Sequence, residues 1–563
     1  MLPRYKERGA ESGWAENWRT VAVVAFLVTS AMGIGLVGAA GVGSPHVTGD
    51  EGGGTSPADL AEPTSGLAEN RSLADADTKL IGAGADDNFG TALAHGDVNG
   101  DGVEDVLVGA PRNNTPNGNG SGAVYVFYGP VDGRELDAES ANVTLYGVDG
   151  GDGAGYSLAT GDVDDDGIDD IVVGAPFEET GADDAGAVYV VHGGDLGNRS
   201  LADANHTFYG ESYEDQAGRA VATVNRTGGD DVLVGAPGAD IRTEDAGAVY
   251  VVSSPDPGTL DLGNATATIT GEGVGDRAGW SLDGIGDFDG DESNDFVVGA
   301  PNNSSTAADA GAAYVVTANA SGTMSLADAA LKLAGEAAGD RAGWSAAEAG
   351  DVDGDGYADV IVGAPFAETT TNDTNTGIAY VVYGGNDTAD RQNLSDIGTR
   401  LVGENEDDHA GYSVSSAGSG DVTCDDYDDV LIGAPGADTT AEDAGAVYLL
   451  AGSEHRADHR QLSKAAGKYV GEGEDDRAGY AVSDAMDATG DGDEDVLVGA
   501  PDNDSGGDDA GAAYLLAGDC PEPTPTETPT PTETPTPTPT ETPTPTPTPT
   551  ETPTPTPTPT ETP

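Results

Sequence analysis

Carboxylates recur along this chain at positions one, three, five and nine of a nine-residue loop, a spacing suited to holding a hard divalent cation. In Asp351-Val-Asp-Gly-Asp-Gly-Tyr-Ala-Asp359, the side chains of Asp351, Asp353, Asp355 and Asp359 and the carbonyl of Tyr357 cluster oxygens. Calcium takes six to eight such ligands at about 2.3–2.6 Å. Gly356 permits the sharp turn that folds them around one point. The first six positions imitate an EF-hand loop, which would need a bidentate Glu at position twelve and a helix on either side. Position twelve is Val362, and Val360-Ile-Val before Gly-Ala-Pro365 predicts a buried strand instead.

The loop is one copy of a long repeat. Gly-Ala-Pro ends at Pro111, Pro176, Pro237, Pro301, Pro365, Pro435 and Pro501, in steps of 65, 61, 64, 64, 70 and 66 residues. In the first unit the ligand set is Asp97, Asn99, Asp101, the Val103 carbonyl and Asp105; in the second it is Asp162, Asp164, Asp166, the Ile168 carbonyl and Asp170. The fourth offers Asp287, Asp289, Asp291, Ser293 and Asp295, with Glu292 in the place of the turn glycine. Asp421, Thr423, Asp425, Tyr427 and Asp429 form the sixth set, with Asp426 at the glycine position. The seventh is Asp487, Thr489, Asp491, Asp493 and Asp495. A threonine hydroxyl is a neutral, poorer ligand, so these last two should bind more weakly. The third unit, Thr223 to Asp231, lacks most ligands and carries Arg226, so no ion is expected there. Asp and Gly also make turns unaided; the fixed register, always ending four residues before the Gly of Gly-Ala-Pro, favours bound calcium in a structural role.

Each unit reads as four short strands: an Ala-Gly-aromatic-Ser piece such as Ala278 to Leu282, the Asp-Val-Leu-Val run, Gly-Ala-Val-Tyr-Val-Val as at Gly186 to Val191, and a Lys-Leu-Ala-Gly type as at Lys332 to Gly335. Seven four-stranded antiparallel units predict an all-β, seven-bladed β-propeller over 72–519. Ser72 to Gly82 matches Ser200 to Gly210, a fourth-strand segment, while the last unit ends after Ala512 to Leu516. Pairing Thr78 to Gly82 with the last blade would close the ring and remove two exposed edges. In a propeller, the loop between strands one and two shares a face with the end of strand three. Cys424 and Cys520 would then lie on one side, as a single disulfide or as two unrelated thiols.

Taken together, Gly-Ala-Pro and its upstream Asp loop resemble the FG-GAP repeat, the unit of the seven-bladed propeller in the integrin α-subunit head. Phe-Gly itself stands only at Phe89-Gly90; the other units read Ala-Gly followed by Tyr, Trp or Arg. The resemblance implies a calcium-stiffened propeller that binds a protein or glycan at the cell surface in adhesion or ligand capture; the propeller itself is expected to be monomeric. A passive structural glycoprotein of the cell envelope is the alternative. A propeller hydrolase is a third reading, since an FG-GAP propeller accompanies a zinc phospholipase domain in some proteins.

The chain holds 101 acidic and 22 basic residues among 563, a net charge of −79. That excludes nucleic acid and anionic membrane as partners, since both require a basic footprint. The acidity resembles the salt-adapted surfaces of haloarchaeal proteins, whose self-repulsion concentrated cations screen. Basic residues in 1–19 precede an uncharged stretch at 20–43, expected as an export signal or transmembrane anchor, then a flexible linker over 44–71. The Thr/Pro/Glu-rich end, 520–563, is expected as an extended stalk. Sequons at Asn142, Asn198, Asn264, Asn319 and Asn503 fit an exported glycoprotein.

Other candidates for chemistry read as scaffold. His455 and His459 stand four apart but without a His-Glu-x-x-His pattern. Ser157, Ser281, Ser345 and Ser413 lack the Gly-x-Ser-x-Gly elbow and recur at equivalent places, as do Tyr125, Tyr189, Tyr250, Tyr314, Tyr380, Tyr448 and Tyr514. No catalytic residue is expected.

Overall fold

The computed structural model describes residue 67, residues 70–520 apart from 181, 227–228, 254–256, 318–319, 369–373, 386–390, 418–420, 455, 457–458 and 519, and residues 546–548, 551 and 553. The expected N-terminal segment at 20–43, nearly all of the linker and stalk, Asn319 and His455 lie outside the described residues. Among the described residues no helix is long and apolar enough to cross a membrane.

The described residues form seven sheets, the blades of a β-propeller. In each, strand two begins at or just after an aspartate and strand three follows it antiparallel, as with Asp359–Ala364 and Ile378–Val382. Their Val, Ile, Leu and Tyr side chains are buried on both faces, because every blade packs between two others. Strand one starts later than its sequence suggests: in blade four it is Leu282–Ile285, while Ala278 makes only an isolated bridge to Gly247 of the preceding blade. Gly279 has φ +84°, a left-handed conformation that ends any extended run there, so Ala-Gly-aromatic is the turn into the strand.

Both glycines of the repeat are required by close approach between blades. A Cβ on Gly363 of Gly-Ala-Pro would lie 2.0 Å from the carbonyl oxygen of Gly411, the turn glycine of the next blade. The same approach recurs from Gly109 to Gly155 and, around the closure, from Gly499 to Gly90. The serine hydroxyls reinforce this seam: Ser157 donates to the Gly218 carbonyl at 2.9 Å and Ser413 to that of Gly479 at 2.8 Å. Repetition of Ser therefore reflects blade-to-blade bonding. Residues after the turn glycine converge around the axis, where Trp280, Trp344, Tyr412 and Tyr480 pack ring against ring at 5.0–5.6 Å. Arg219 joins them, its guanidinium 4.5 Å over Tyr156 and 4.1 Å over Trp280.

Each blade also has a fifth strand that the four-strand reading did not contain. The connection between strands three and four runs parallel to strand four of the preceding blade, as Arg199–Ser200 does along Val143–Tyr146. It covers an edge that would otherwise be open. The Ser-Leu-Ala-Asp phrase is this strand and the 3-10 turn after it, with Leu73, Leu201 and Leu326 driven into the core. At the closure Thr78–Ile81 pairs with Ala512–Leu516, Thr78 opposite Leu515, while Asn70–Ser72 lies along strand four of blade six. One N-terminal segment thus fastens two blades. Asn503 is buried and its amide donates to Asp476 and Tyr514, so this sequon is closed to glycan in the folded protein, whereas Asn142, Asn198 and Asn264 are exposed.

Gly363→Ala should lower stability by roughly 3 kcal/mol, the upper end of the cost of overpacking, because backbone must shift to admit the methyl. Chemical denaturation checks this, with Gly385→Ala, a glycine that meets nothing within 4 Å, as the control for backbone strain alone.

Candidate metal loops

The aspartate at loop position nine is the first residue of strand two, so the fold carries it below the surface: Asp105, Asp170, Asp295, Asp359, Asp429 and Asp495 are all at most 1% exposed. Its two oxygens tie three chain segments. In blade five Oδ1 accepts from the N–H of Gly384, where strand three has ended, and Oδ2 accepts from Val352 in the loop, at 2.9 and 3.0 Å. Gly193 and Val163 serve Asp170 in the same way, and Gly452 and Thr423 serve Asp429. The position-one carboxylate gathers the rest: Asp351 accepts from Asp355 and Gly356 at 2.9 and 2.8 Å, and Asp162 from Asp166 and Gly167 at 2.9 Å each.

This fold brings carboxylate oxygens of Asp162, Asp164 and Asp166, of Asp287, Asp289 and Asp291, of Asp351, Asp353 and Asp355, and of Asp421, Asp425 and Asp429 within 4.8 Å of one another in each group. Oδ1 of Asp353, within one of these groups, and Oδ1 of Asp487, in the blade-seven loop, are buried with no hydrogen-bond partner. An orphaned carboxylate oxygen in a cluster of like charges is the state a cation relieves. The remaining carboxylate-rich loops have oxygen donors only, the ligand set of a hard divalent ion.

Individual loops depart from the pattern in ways their sequences foretell in part. In blade one Asn99 turns its amide onto Asp105, at 2.9 and 3.1 Å. In blades six and seven the Thr423 and Thr489 hydroxyls donate to Asp429 and Asp495 at 3.3 and 3.4 Å, a neutral partner for the buried carboxylate. Blade three has a guanidinium instead: Arg226 holds Asp231 at 2.5 Å. Blade five holds a surprise, since Arg456 from the blade-six connection lies on Asp353 and Asp355 while stacking 4.5 Å over Tyr383. In the six carboxylate-rich loops position six has positive φ, including Glu292 at 68° and Asp426 at 73°.

Burial, reinforced by neighbouring carboxylates, pushes the position-nine carboxyls up: Asp105 and Asp495 to about 7, Asp170 to about 6 and Asp359 to about 8. Asp429 is raised well above the usual carboxylate range for the same reason.

Loops of adjacent blades are joined. The position-eight carboxylates Asp169, Asp230 and Asp428 accept from the position-one N–H of the preceding blade, at Asp97, Asp162 and Asp351, over 3.0, 3.1 and 2.6 Å. Cys424, inside the blade-six loop, is bonded to Cys520 beyond the last strand, with Cα atoms 5.8 Å apart. Sequence reasoning missed the position-eight groups because the motif gives them no role, and it missed Arg456 because that arginine comes from a different repeat. His459 lies in a short exposed strand, His459–Gln461, beside Gln461.

A second cluster faces the central channel, a cavity of about 800 Å³. His95 lies 3.2 Å from Asp484 and 3.3 Å from Glu104. Burial alone would lower the imidazole, but Asp484 and Glu104 override it and hold His95 at about 10. Asp484 is correspondingly lowered: burial opposes this, and His95 outweighs burial.

The FG-GAP repeat family model matches residues 89–127, 154–191, 343–382 and 413–450. Integrin alpha-PS2 of Drosophila melanogaster is 32% identical over 228 residues, 38% of this chain and 15% of its own length. Integrin alpha-5 of Xenopus laevis is 34% identical over 227 residues, 38% of this chain and 20% of its own. The human phosphatidylinositol-glycan-specific phospholipase D is 35% identical over 156 residues, 26% of this chain and 18% of that protein. The matched region spans a fifth or less of the length of these relatives. Fold and motif define a seven-bladed β-propeller in which blades one, two, five and six match the FG-GAP repeat. Within that class the chain is integrin-α-like.

Two outcomes follow from the geometry. Asp426→Gly should stabilise the folded chain by about 1 kcal/mol, the cost of a left-handed non-glycine residue, read as a higher denaturation midpoint. For the channel pair, a raised His95 gives stability that is complete below pH 6.5 and lost as pH rises through about 10, while the lowered Asp484 gives stability lost only in acid. Asp484→Asn should cost roughly 2 kcal/mol at pH 8 and flatten the alkaline limb of a stability–pH curve; an unchanged limb would refute the assignment.

Proposed function

We propose that this chain is an extracellular, calcium-binding propeller that serves cell-surface adhesion or ligand capture, without catalysis of its own. The observation that carries the reading is the buried position-nine aspartate in six blades, each set against a loop of further oxygens. Structural calcium would sit among Asp97, Asn99, Asp101 and Asp105 in blade one, and among the corresponding residues of blades two, four, five, six and seven. Blade three takes none, because Arg226 already supplies the positive charge at Asp231. Integrin α relatives favour a binding role over an enzymatic one; the phospholipase similarity is confined to 26% of this chain. The export or anchor segment at 20–43, the stalk at 520–563 and glycans at exposed sequons would present the ring away from the cell, and the acidic surface suits a salty medium.

Calcium at about a hundred times its dissociation constant should add about 2.7 kcal/mol per site, so chelation in high salt should lower the thermal midpoint by many degrees. A midpoint indifferent to calcium would sink the proposal. A glycan and protein binding screen with the full chain, with and without chelator, then separates capture from a passive envelope role, which calcium-independent silence would favour.

Arg456 competes with an ion for Asp353 and Asp355. Arg456→Gln should therefore raise the calcium affinity of the blade-five loop about tenfold, the equivalent of 1.4 kcal/mol, measured by competition with a chromophoric chelator. Equal or weaker binding would show that the arginine supports the loop.

A further inference from the structure

We infer that the blade-two loop takes a d-block divalent cation, of the Co2+, Ni2+ or Zn2+ class, with His192 supplying a nitrogen ligand beside Asp164 and Asp170. The inference rests on the proposal that these loops hold cations, and differs from it in the kind of cation at one loop.

His192 follows strand three, Ala187–Val191, and precedes Gly193, whose N–H closes on Asp170 at 2.9 Å. That register carries the imidazole to the mouth of the loop. Its Nδ1 lies 2.8 Å from Asp164 Oδ2, and one ligand atom each of His192, Asp164 and Asp170 lie within 4.8 Å of one another. At the same register blades one, five, six and seven present Tyr128, Tyr383, Ala451 and Ala517, each just before the glycine that closes on position nine. None of these offers a nitrogen. Oxygen-only loops suit calcium, whereas an imidazole among carboxylates shifts preference toward the later first-row metals.

A second histidine sets the first in a ligating form. His206, on strand four and 1% exposed, places its Nε2 2.8 Å from Nε2 of His192, with ring centroids 4.9 Å apart. Two imidazole nitrogens at that distance share one proton. When His206 Nε2 accepts the hydrogen bond, His192 carries the proton on Nε2 and its Nδ1 lone pair faces Asp164 and Asp170. Metal-binding histidines are commonly fixed by such a partner on the other nitrogen. His206 is thus a positioning residue and His192 the ligand.

The test uses the full chain, stripped with chelator, reloaded with Co2+ and then challenged with excess Ca2+. One equivalent of cobalt should resist displacement and show the visible absorption of a nitrogen-ligated site. His192→Tyr places there the residue that blades one and five use, so the strand exit is preserved. It should weaken cobalt binding at least tenfold and abolish the spectral signature, with the number of bound calcium ions otherwise unchanged. His206→Leu should weaken cobalt about tenfold, and His206→Gln, which keeps an acceptor, should restore it. Cobalt displaced by calcium as readily from the wild type as from His192→Tyr would overturn the inference. Cobalt retained through His192 by a chain that binds no calcium would uphold it while overturning the calcium proposal, so the two fail separately.

Discussion

A carboxylate that begins a buried strand is the constraint on which the rest of this propeller turns. Removing an ionised group from water is costly unless it is hydrogen-bonded and paired, and six position-nine aspartates are at most 1% exposed. Five of them, Asp105, Asp170, Asp359, Asp429 and Asp495, are held by the glycine N–H after strand three and by a donor in the loop before it, and Asp295 accepts from Phe288 in its loop. These donors satisfy hydrogen-bonding capacity but do not neutralise charge, and the other loop carboxylates add repulsion. The different blades answer the same problem differently: a guanidinium within the loop at Arg226, one borrowed from the next repeat at Arg456, a hydroxyl at Thr423 and Thr489, a second histidine-bearing strand in blade two, and oxygen ligands alone in blade four.

The same scarcity of positive charge shapes the opposite side of the blades. Lys79, Lys332 and Lys468 sit at one register of strand four, stacked 4.9–5.2 Å over Tyr514, Tyr314 and Tyr448 of their own blades. From there they reach Glu472, Glu272 and Glu404 of the preceding blades. Three of the five lysines in the sequence thus stand on blade seams. Partly buried pairs are screened less by salt than surface pairs, which matters for a chain of net charge −79.

Much of this was legible in the sequence because the repeat imposes its own controls. Seven Gly-Ala-Pro phrases in register gave the blade number, and the displaced Ser72-to-Gly82 copy gave the closure that places Thr78 opposite Leu515. Strand two was evident from its β-branched run, while strand one was placed too early, since alternation cannot reveal that Gly279 sits at positive φ. The parallel fifth strand was hidden because two or three residues, as at Arg199–Ser200, carry no periodicity. At the loops, ligand types follow from local spacing. What local spacing cannot give is a group delivered from a distant part of the chain: Arg456 of blade six onto blade five, His192 and His206 from beyond strand three and from strand four of blade two onto its own loop, and His95 of blade one against Asp484 of blade seven.

Contacts between neighbouring loops mean that the acidic face is one ring. After strand three, Gly194, Gly385 and Ser453 each donate to the position-two carbonyl of the preceding blade, at Val98, Phe288 and Val352, and Val131 does so to Ala488 across the closure, all at 2.8 Å. Asp230 bridges blades two and three through the N–H of Asp162. Between blades six and seven the link is covalent, Cys424 to Cys520. The remaining seam, between blades three and four, falls beside the loop that has lost its ligands, and there Arg226 reaches from Asp231 to the carbonyl of Ala320 at 3.5 Å. The arginine that balances the charge of Asp231 therefore also supplies the seam contact. Charge compensation at any one loop bears on the geometry of its neighbour, and the ring keeps its continuity at the blade that abandoned the acidic motif.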